Sequence, residues 1–376
     1  MLIGIPAESF PGEARVAATP ETVRKLVAGG HDVHVERGAG LGASVHDDAY
    51  AAAGALLSDR AAVLAAPLVL KVRAPKADEV GLMSRGATLV GMLDPFDADG
   101  IARLQAAGIT GFALEAAPRI TRAQGMDVLS SQANIAGYKA VILAANTYQR
   151  FFPMLMTAAG TVKAARVIVL GVGVAGLQAI ATAKRLGAVI EASDVRPSVR
   201  EQVESLGAKF IDVPFETDEE RAAAEGTGGY ARPMPQSWLD RQRVEVARRI
   251  AQADVVIATA LIPGRAAPTL VTDEMVRAMK PGSVIVDLAA GRGAVNPVTG
   301  VSGGNCALSE PDRTVTVHGV TIIGETNLPA MVAADASALY ARNILDFLTL
   351  VLAADGTLQA PMDDEIVAGC CITRGG

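Results

Sequence analysis

A β-rich run, Ala165 to Leu170, leads directly into Gly171-Val172-Gly173-Val174-Ala175-Gly176 and then into an alanine-rich helical pattern, Ala175 to Leu186. No other feature restricts the fold of this chain as strongly. Three glycines at this spacing, between a strand and a helix, are the fingerprint of a dinucleotide-binding βαβ unit. The first glycine makes the tight turn and the second lets the backbone approach a pyrophosphate. The third lets helix and strand pack closely, while the helix N-terminus faces the anion. The next strand ends at Ser193-Asp194-Val195-Arg196. Asp194 lies about 20 residues beyond the glycines, where an acid accepts hydrogen bonds from an adenosine ribose. A carboxylate there repels a 2′-phosphate, which favours NAD over NADP; Arg196 is the nearby group that could instead hold such a phosphate. The competing reading is a glycine turn in another α/β fold, with Asp194 a solvated strand end.

The rest of the chain keeps the same rhythm. Leu2 to Pro6, Asp32 to Val35, Leu68 to Val72, Thr88 to Leu93 and Ile109 to Leu114 read as strands, with helical stretches such as Asp97 to Ala107 between them. Thr19-Pro20-Glu21 opens a helix that Gly29-Gly30 closes. A second series follows the glycine turn, with strands at Ala188 to Ala192, Lys209 to Val213, Asp254 to Thr259 and Ser283 to Leu288. Strands alternating with helices imply parallel sheets with right-handed crossovers. The expected fold class is α/β: two Rossmann-like domains with parallel sheets, joined by long helices. Asn134 to Phe152 reads as one bridging helix, and Ala333 to Leu352 as a helix returning to the first domain. The expected boundaries are 1–133 with 326–376 for the N-terminal domain and 134–325 for the nucleotide-binding domain. Glu216 to Ser237, rich in acid, glycine and proline, reads as an exposed loop.

Composition removes several functions. Among 376 residues, acids outnumber bases to a net charge of −6, and no basic run exists to neutralise phosphates, so nucleic acid is not an expected partner. Cys306, Cys370 and Cys371 form no paired framework, and no Cys or His pair has metal-ligand spacing. Val167 to Ala183, the longest apolar stretch, is interrupted by three glycines and is too short for a bilayer span, which needs about 20 residues. The apolar start is also too short for a secretory signal, so a cytoplasmic protein is expected.

The remaining chemistry is sparse. An enzyme oxidising an alcohol or amine needs a general base near the nicotinamide. The histidines are His31, His34, His46 and His318, and each reads as a surface or strand-end residue. Arg15 and Lys71 suit substrate work better, although a loop arginine and a strand-end lysine are ordinary too. Hydride transfer between two nicotinamides moves no proton to solvent. It needs only two carbons held about 3–3.5 Å apart with water excluded.

Several stretches together resemble the NAD(H)-binding component of proton-translocating NAD(P) transhydrogenase, in the alanine dehydrogenase/transhydrogenase family, over nearly the whole chain. They are Pro11-Gly12-Glu13 with Arg15-Val16-Ala17, Gly38-Ala39-Gly40 with Gly42-Ala43-Ser44, and Pro118 to Asp127 with Leu129-Ser130-Ser131-Gln132. Met156 to Thr161, Gly171 to Arg185, Thr259 to Gly264, Gly303 to Cys306 and Val332 to Ser337 complete the set. The resemblance implies that Arg119, Gln124 and Asp127 lie over the nicotinamide, with Ser130 in the same site. It assigns Val174, Asp194, Val195 and Arg196 to the adenosine and pyrophosphate, and Thr259, Ala260 and Leu261 to the underside of the dinucleotide. It makes Gly229 and Tyr230 part of a closing loop, followed by Gln242. It further implies a homodimer, an NADP(H)-binding partner component, and a membrane component that conducts protons and through which this chain is peripherally attached. Two departures stand out: extra residues from Gly291 to Ser302, and a slightly longer loop before Tyr230. Alanine dehydrogenase is the rival enzyme, but it relies on a histidine near Leu93-Asp94-Pro95 and an acid where Gly291 stands, and both are absent. A non-catalytic NAD-sensing module is the third reading; the polar loop from Arg119 to Asp127 argues against it.

Overall fold

In a computed structural model that describes residues 1–225, 234–262, 264–297, 299–353 and 355–375, the chain forms two compact units. One comprises residues 1–132 and 329–376, the other residues 133–328.

The first unit is built on the strands β1 (Leu2–Ile5), β2 (Asp32–Glu36), β3 (Leu56–Ser58), β4 (Leu68–Arg73), β5 (Thr88–Met92) and β6 (Thr110–Ala113). They lie in the order β6-β5-β4-β1-β2-β3, all parallel, and a terminal strand, Cys371–Thr373, adds antiparallel to β6. The inner strands β4 and β5 are covered on both faces and buried nearly throughout, whereas β2 alternates, with Val33 and Val35 buried and Asp32 exposed. Leu68, Leu70 and Val72 enter one cluster with Ile3, Ile5 and Val35, while Val69 and Leu89 enter another on the opposite face. The helix Ala333–Val351 lays Tyr340, Ile344, Phe347, Leu348 and Val351 on the first cluster, a stripe at helical spacing. Each such burial contributes roughly 1.5–3 kcal/mol. Tyr340 also ties the helix to the sheet: its hydroxyl donates to the Lys71 carbonyl at 2.8 Å and accepts from the Met92 N–H at 3.0 Å.

The second unit continues the series with a small hairpin, β7 (Leu155–Thr157) and β8 (Gly160–Val162), followed by β9 (Arg166–Leu170), β10 (Val189–Ser193) and β11 (Lys209–Phe210). It ends with β12 (Val255–Ala258), β13 (Val284–Asp287), β14 (Thr314–Val317) and β15 (Val320–Ile323). Its main sheet runs β11-β10-β9-β12-β13-β15-β14, parallel except for the last pair. In both units the order reverses beside the first strand of its series, between β1 and β4 and between β9 and β12. Crevices at such reversals are where open α/β sheets bind ligands.

Three features differ from the sequence reading. The bridging helix runs Val128–Thr147, six residues earlier than its apolar pattern suggests, because Asp127 caps it. Glu216 to Ser237 is not all loop: Asp218–Glu225 is helical, and its buried Glu220 pairs with Arg241 at 2.8 Å. The hairpin β14–β15 turns on His318-Gly319, both with positive φ (54° and 78°), the primed geometry that matches strand twist. The segment from Gly291 to Ser302 closes on itself, with Val295 bridged to Ser302. No helix among the described residues is long and apolar enough to cross a membrane.

Candidate dinucleotide site and a buried ionic cluster

Each glycine of the turn has its own steric reason. Gly171 adopts φ +88°, a left-handed conformation that a side chain strains, and a Cβ there would stand 2.9 Å from the Ala260 nitrogen. A Cβ on Gly173 would meet no atom within 4 Å, so the space over the turn is open. A Cβ on Gly176 would stand 2.0 Å from the Gly171 carbonyl oxygen, inside the contact between helix Val174–Arg185 and β9. That helix begins at Gly173 with no side-chain cap, leaving its first N–H groups to the open space. A strand-end crevice, a close backbone approach and uncapped donors fit a pyrophosphate.

Asp194 sits beside this turn. Its Oδ2 accepts from the Val172 N–H at 2.7 Å, and its Oδ1 from the Arg196 N–H and Nε at 2.9 Å each. Arg196 Nη2 adds a bond to Oδ2 at 2.9 Å and one to the Val172 carbonyl at 3.1 Å. The arginine that could hold a 2′-phosphate is thus turned onto the acid, and a ribose diol competes with it for the carboxylate. Val195 packs on the cluster of Val213 and Trp238, and Gln242 Nε2 reaches Ser193 Oγ at 3.4 Å. Thr259 Oγ1 donates to the Gly171 carbonyl at 2.7 Å, and the Ala260 nitrogen also stands beside Gly171, so Thr259 and Ala260 lie against the turn. Val174 is exposed at the head of the helix. Gly229 and Tyr230 lie outside the described residues.

The loop from Arg119 to Asp127 belongs to the first unit. Ala123 and Met126 anchor it in the core, and the Gly125 carbonyl accepts from Asn343 Nδ2 at 2.7 Å. Arg122 makes two bonds to Asp364, at 2.6 and 3.0 Å. The Arg119 and Gln124 side chains face outward. Asp127 does not: its Oδ1 accepts the Ser130 N–H at 2.8 Å and its Oδ2 the Ser130 hydroxyl at 2.5 Å. Its first role is therefore the N-cap of helix Val128–Thr147, a role the Asp-x-x-Ser spacing announces.

Arg15 and Lys71, readable as ordinary loop and strand-end residues, are buried. Arg15 donates to Glu13 at 2.7 and 2.8 Å and to Gln132 Oε1 at 2.8 Å. Lys71 Nζ lies 3.1 Å from Glu79 and 3.4 Å from Glu8, all three side chains at most 1% exposed. Burial raises the Glu8 carboxyl above its ordinary range, against the opposing pull of Lys71. Glu13 is also desolvated, but bonds from Arg15 and Arg73 hold it down at about 2. Spacing could not reveal Glu8 as a partner of Lys71, since β1 and β4 become neighbours only in the sheet.

Glu115, two residues beyond the end of β6, is a further desolvated acid. Its Oε1 accepts the Asp94 N–H at 2.7 Å while its Oε2 is buried with no hydrogen-bond partner, and burial raises its pKa from 4.5 to about 7. A carboxyl with a raised folded-state pKa binds more protons folded than unfolded, so stability falls as pH rises between about 4.5 and 7 and stays low above that. Glu115→Gln should remove this slope and raise stability at pH 8 by on the order of 3 kcal/mol. Urea unfolding of both proteins at pH 5 and pH 8 checks it; equal differences at the two pH values would refute it.

Sequence comparison agrees with this architecture. The profile described as "Alanine dehydrogenase/PNT, N-terminal domain" matches residues 4–136, and its C-terminal counterpart matches residues 140–376. The chain belongs to the alanine dehydrogenase/PNT family. Within that family it is 52% identical over 385 residues to an NAD(P) transhydrogenase alpha subunit of Rhodospirillum rubrum, covering 100% of this chain and 97% of the relative. It is 30% identical to the alanine dehydrogenase of Bacillus subtilis, covering 100% and 92%. Among solved structures, a transhydrogenase from Sinorhizobium meliloti superposes with a TM-score of 0.88 at 48% identity, covering 100% and 99% of the two chains. These alanine dehydrogenase/PNT relatives are oxidoreductases of dehydrogenase type, and their two-domain α/β fold is the fold seen here.

Proposed function

We propose that this chain is the NAD(H)-binding subunit of a proton-translocating transhydrogenase and hands hydride directly to NADP⁺ bound on a partner chain. The observation that carries the reading is the Gly171–Gly176 turn, open above Gly173 and backed by Thr259 and Ala260. Bound NADH supplies the hydride, and no proton need pass to solvent. The chain's own residues bind and orient. The uncapped helix N-terminus holds the pyrophosphate, Asp194 selects an unphosphorylated ribose, and Arg119 and Gln124 fix the nicotinamide end. Asp127 keeps that loop on its helix. The alanine dehydrogenase reading is weaker, because no histidine lies near Leu93-Asp94-Pro95 and the Arg15 and Lys71 charges are already paired. Proton conduction and membrane attachment belong to other components. The uncharged hairpin β7–β8, with Leu155 and Met156 exposed, suits an isologous contact between two copies.

The test follows hydride from NADPH to an NAD analogue whose reduced form absorbs at longer wavelength, with and without a purified NADP-binding partner. Transfer that requires both proteins is the expected result. Turnover by this chain alone with an amino acid and NAD⁺ would overturn it in favour of a self-sufficient dehydrogenase.

A further inference from the structure

The strand β13 ends at Asp287, which is fully buried. Its Oδ1 accepts the N–H groups of Ala289 at 2.9 Å and Asn305 at 3.2 Å; its Oδ2 accepts the Cys306 N–H at 2.8 Å and the Ser309 hydroxyl at 2.7 Å. Four donors fill the carboxylate and fix the chain from Gly304 to Cys306 beneath the site. Asn305, also fully buried, then reaches across to the loop after β12. Its Oδ1 accepts the Ala260 N–H at 2.9 Å, and its Nδ2 donates to the carbonyls of Ala260 at 2.8 Å and Pro268 at 2.9 Å. Ala260 lies just beyond the last ladder residue of β12, Ala258, where a strand partner is no longer available. The asparagine amide replaces that partner on both sides of one residue. Ala260's neighbour Thr259 binds the Gly171 carbonyl, so the chain of contacts runs from Asp287 through Asn305 to the glycine turn.

We propose that Asn305 is a positioning residue for the dinucleotide: its amide holds the Thr259–Leu261 loop against the Gly171 turn, and Asp287 holds Asn305. The proposal rests on the dinucleotide reading of this site. Both N–H bonds of the amide are committed to backbone carbonyls, so Asn305 acts through the loop rather than on the nucleotide. Removing it leaves the Ala260 N–H and two carbonyls without partners and lets the loop leave the turn.

The experiment measures NADH affinity by fluorescence on the full chain, with transfer rates at saturating NADH and thermal unfolding as controls. Asn305→Ala is expected to weaken NADH binding tenfold or more while transfer at saturation stays within about threefold. Asn305→Asp has the same volume but places an oxygen against the carbonyls of Ala260 and Pro268. At pH 8 it should bind as weakly as the alanine variant, and binding should recover several-fold towards pH 6 as the carboxyl takes up a proton and can donate again. Wild type should show no such recovery. Wild-type affinity in both variants would overturn the proposal, and so would an Asn305→Asp defect that is equal at every pH, which would mark simple loss of packing. Failure of the wild-type chain itself to bind NADH would overturn the dinucleotide reading and this proposal together.

Discussion

Gly176→Ala is expected to abolish useful NADH binding, raising the dissociation constant a hundredfold or more. The new Cβ would stand 2.0 Å from the Gly171 carbonyl oxygen, about 1 Å inside the 3.0 Å limit of real contacts, and 3.3 Å from Thr259 Oγ1. Neither neighbour is a flexible chain end: one is turn backbone, and the other is bonded to that backbone. The helix Val174–Arg185 must back away, carrying its first N–H groups off the anion. A displacement of about 1 Å takes those donors beyond the roughly 2.7–3.2 Å range of an N–H···O bond to a fixed anion. Overpacking of this kind also costs about 1–3 kcal/mol of stability. Gly173→Ala separates the two effects. Its Cβ meets no protein atom, so melting should stay near wild type while binding falls, because the methyl occupies the space over the turn. Calorimetric titration with NADH and thermal unfolding of both variants check this. Wild-type affinity in Gly176→Ala would mean that the pyrophosphate does not rest on this helix.

Lys71→Met is expected to cost about 3–5 kcal/mol at pH 8, the usual penalty for removing one partner of a buried ion pair. The ammonium lies between Glu8 and Glu79 with no exposure to water, and methionine fills the stem's volume without the charge. Arg60, 3.5 Å from Glu79, compensates one acid in part, but among the charged contacts described Glu8 keeps only the distant influence of Glu13. Burial already pushes the Glu8 carboxyl upward, and losing Lys71 removes the strongest influence in the other direction. The variant therefore holds a proton there to higher pH than wild type, and its deficit should shrink as pH falls towards 5. Glu8→Gln in the same background should recover part of the loss at pH 8. Urea unfolding at pH 5 and pH 8 decides it; a deficit of equal size at both would place the cost in packing rather than charge.

Local chemistry was legible wherever it repeats at short range. The strand, glycine turn and helix around Gly171 could be read because turn geometry, backbone approach and close packing each demand glycine within six positions. Strands β1, β2, β4, β5, β9 and β13 fell within a residue or two of their apolar runs for the same reason. Short-range signals were also missed: Asp127-x-x-Ser130 spells a helix cap, and the alternation around His318-Gly319 spells a hairpin. Other features were not written locally at all. The three-residue β3 and the terminal strand are too short to carry a period, and the helix at Asp218–Glu225 depends on Glu220 meeting Arg241. Sequence by itself determined the α/β rhythm and the place of the dinucleotide turn. Only the tertiary structure decided that Lys71 faces Glu8 and that Asn305 completes Ala260. The reason is physical: periodicity records which face of an element is buried, whereas the partner met there depends on which distant strands the sheet brings side by side.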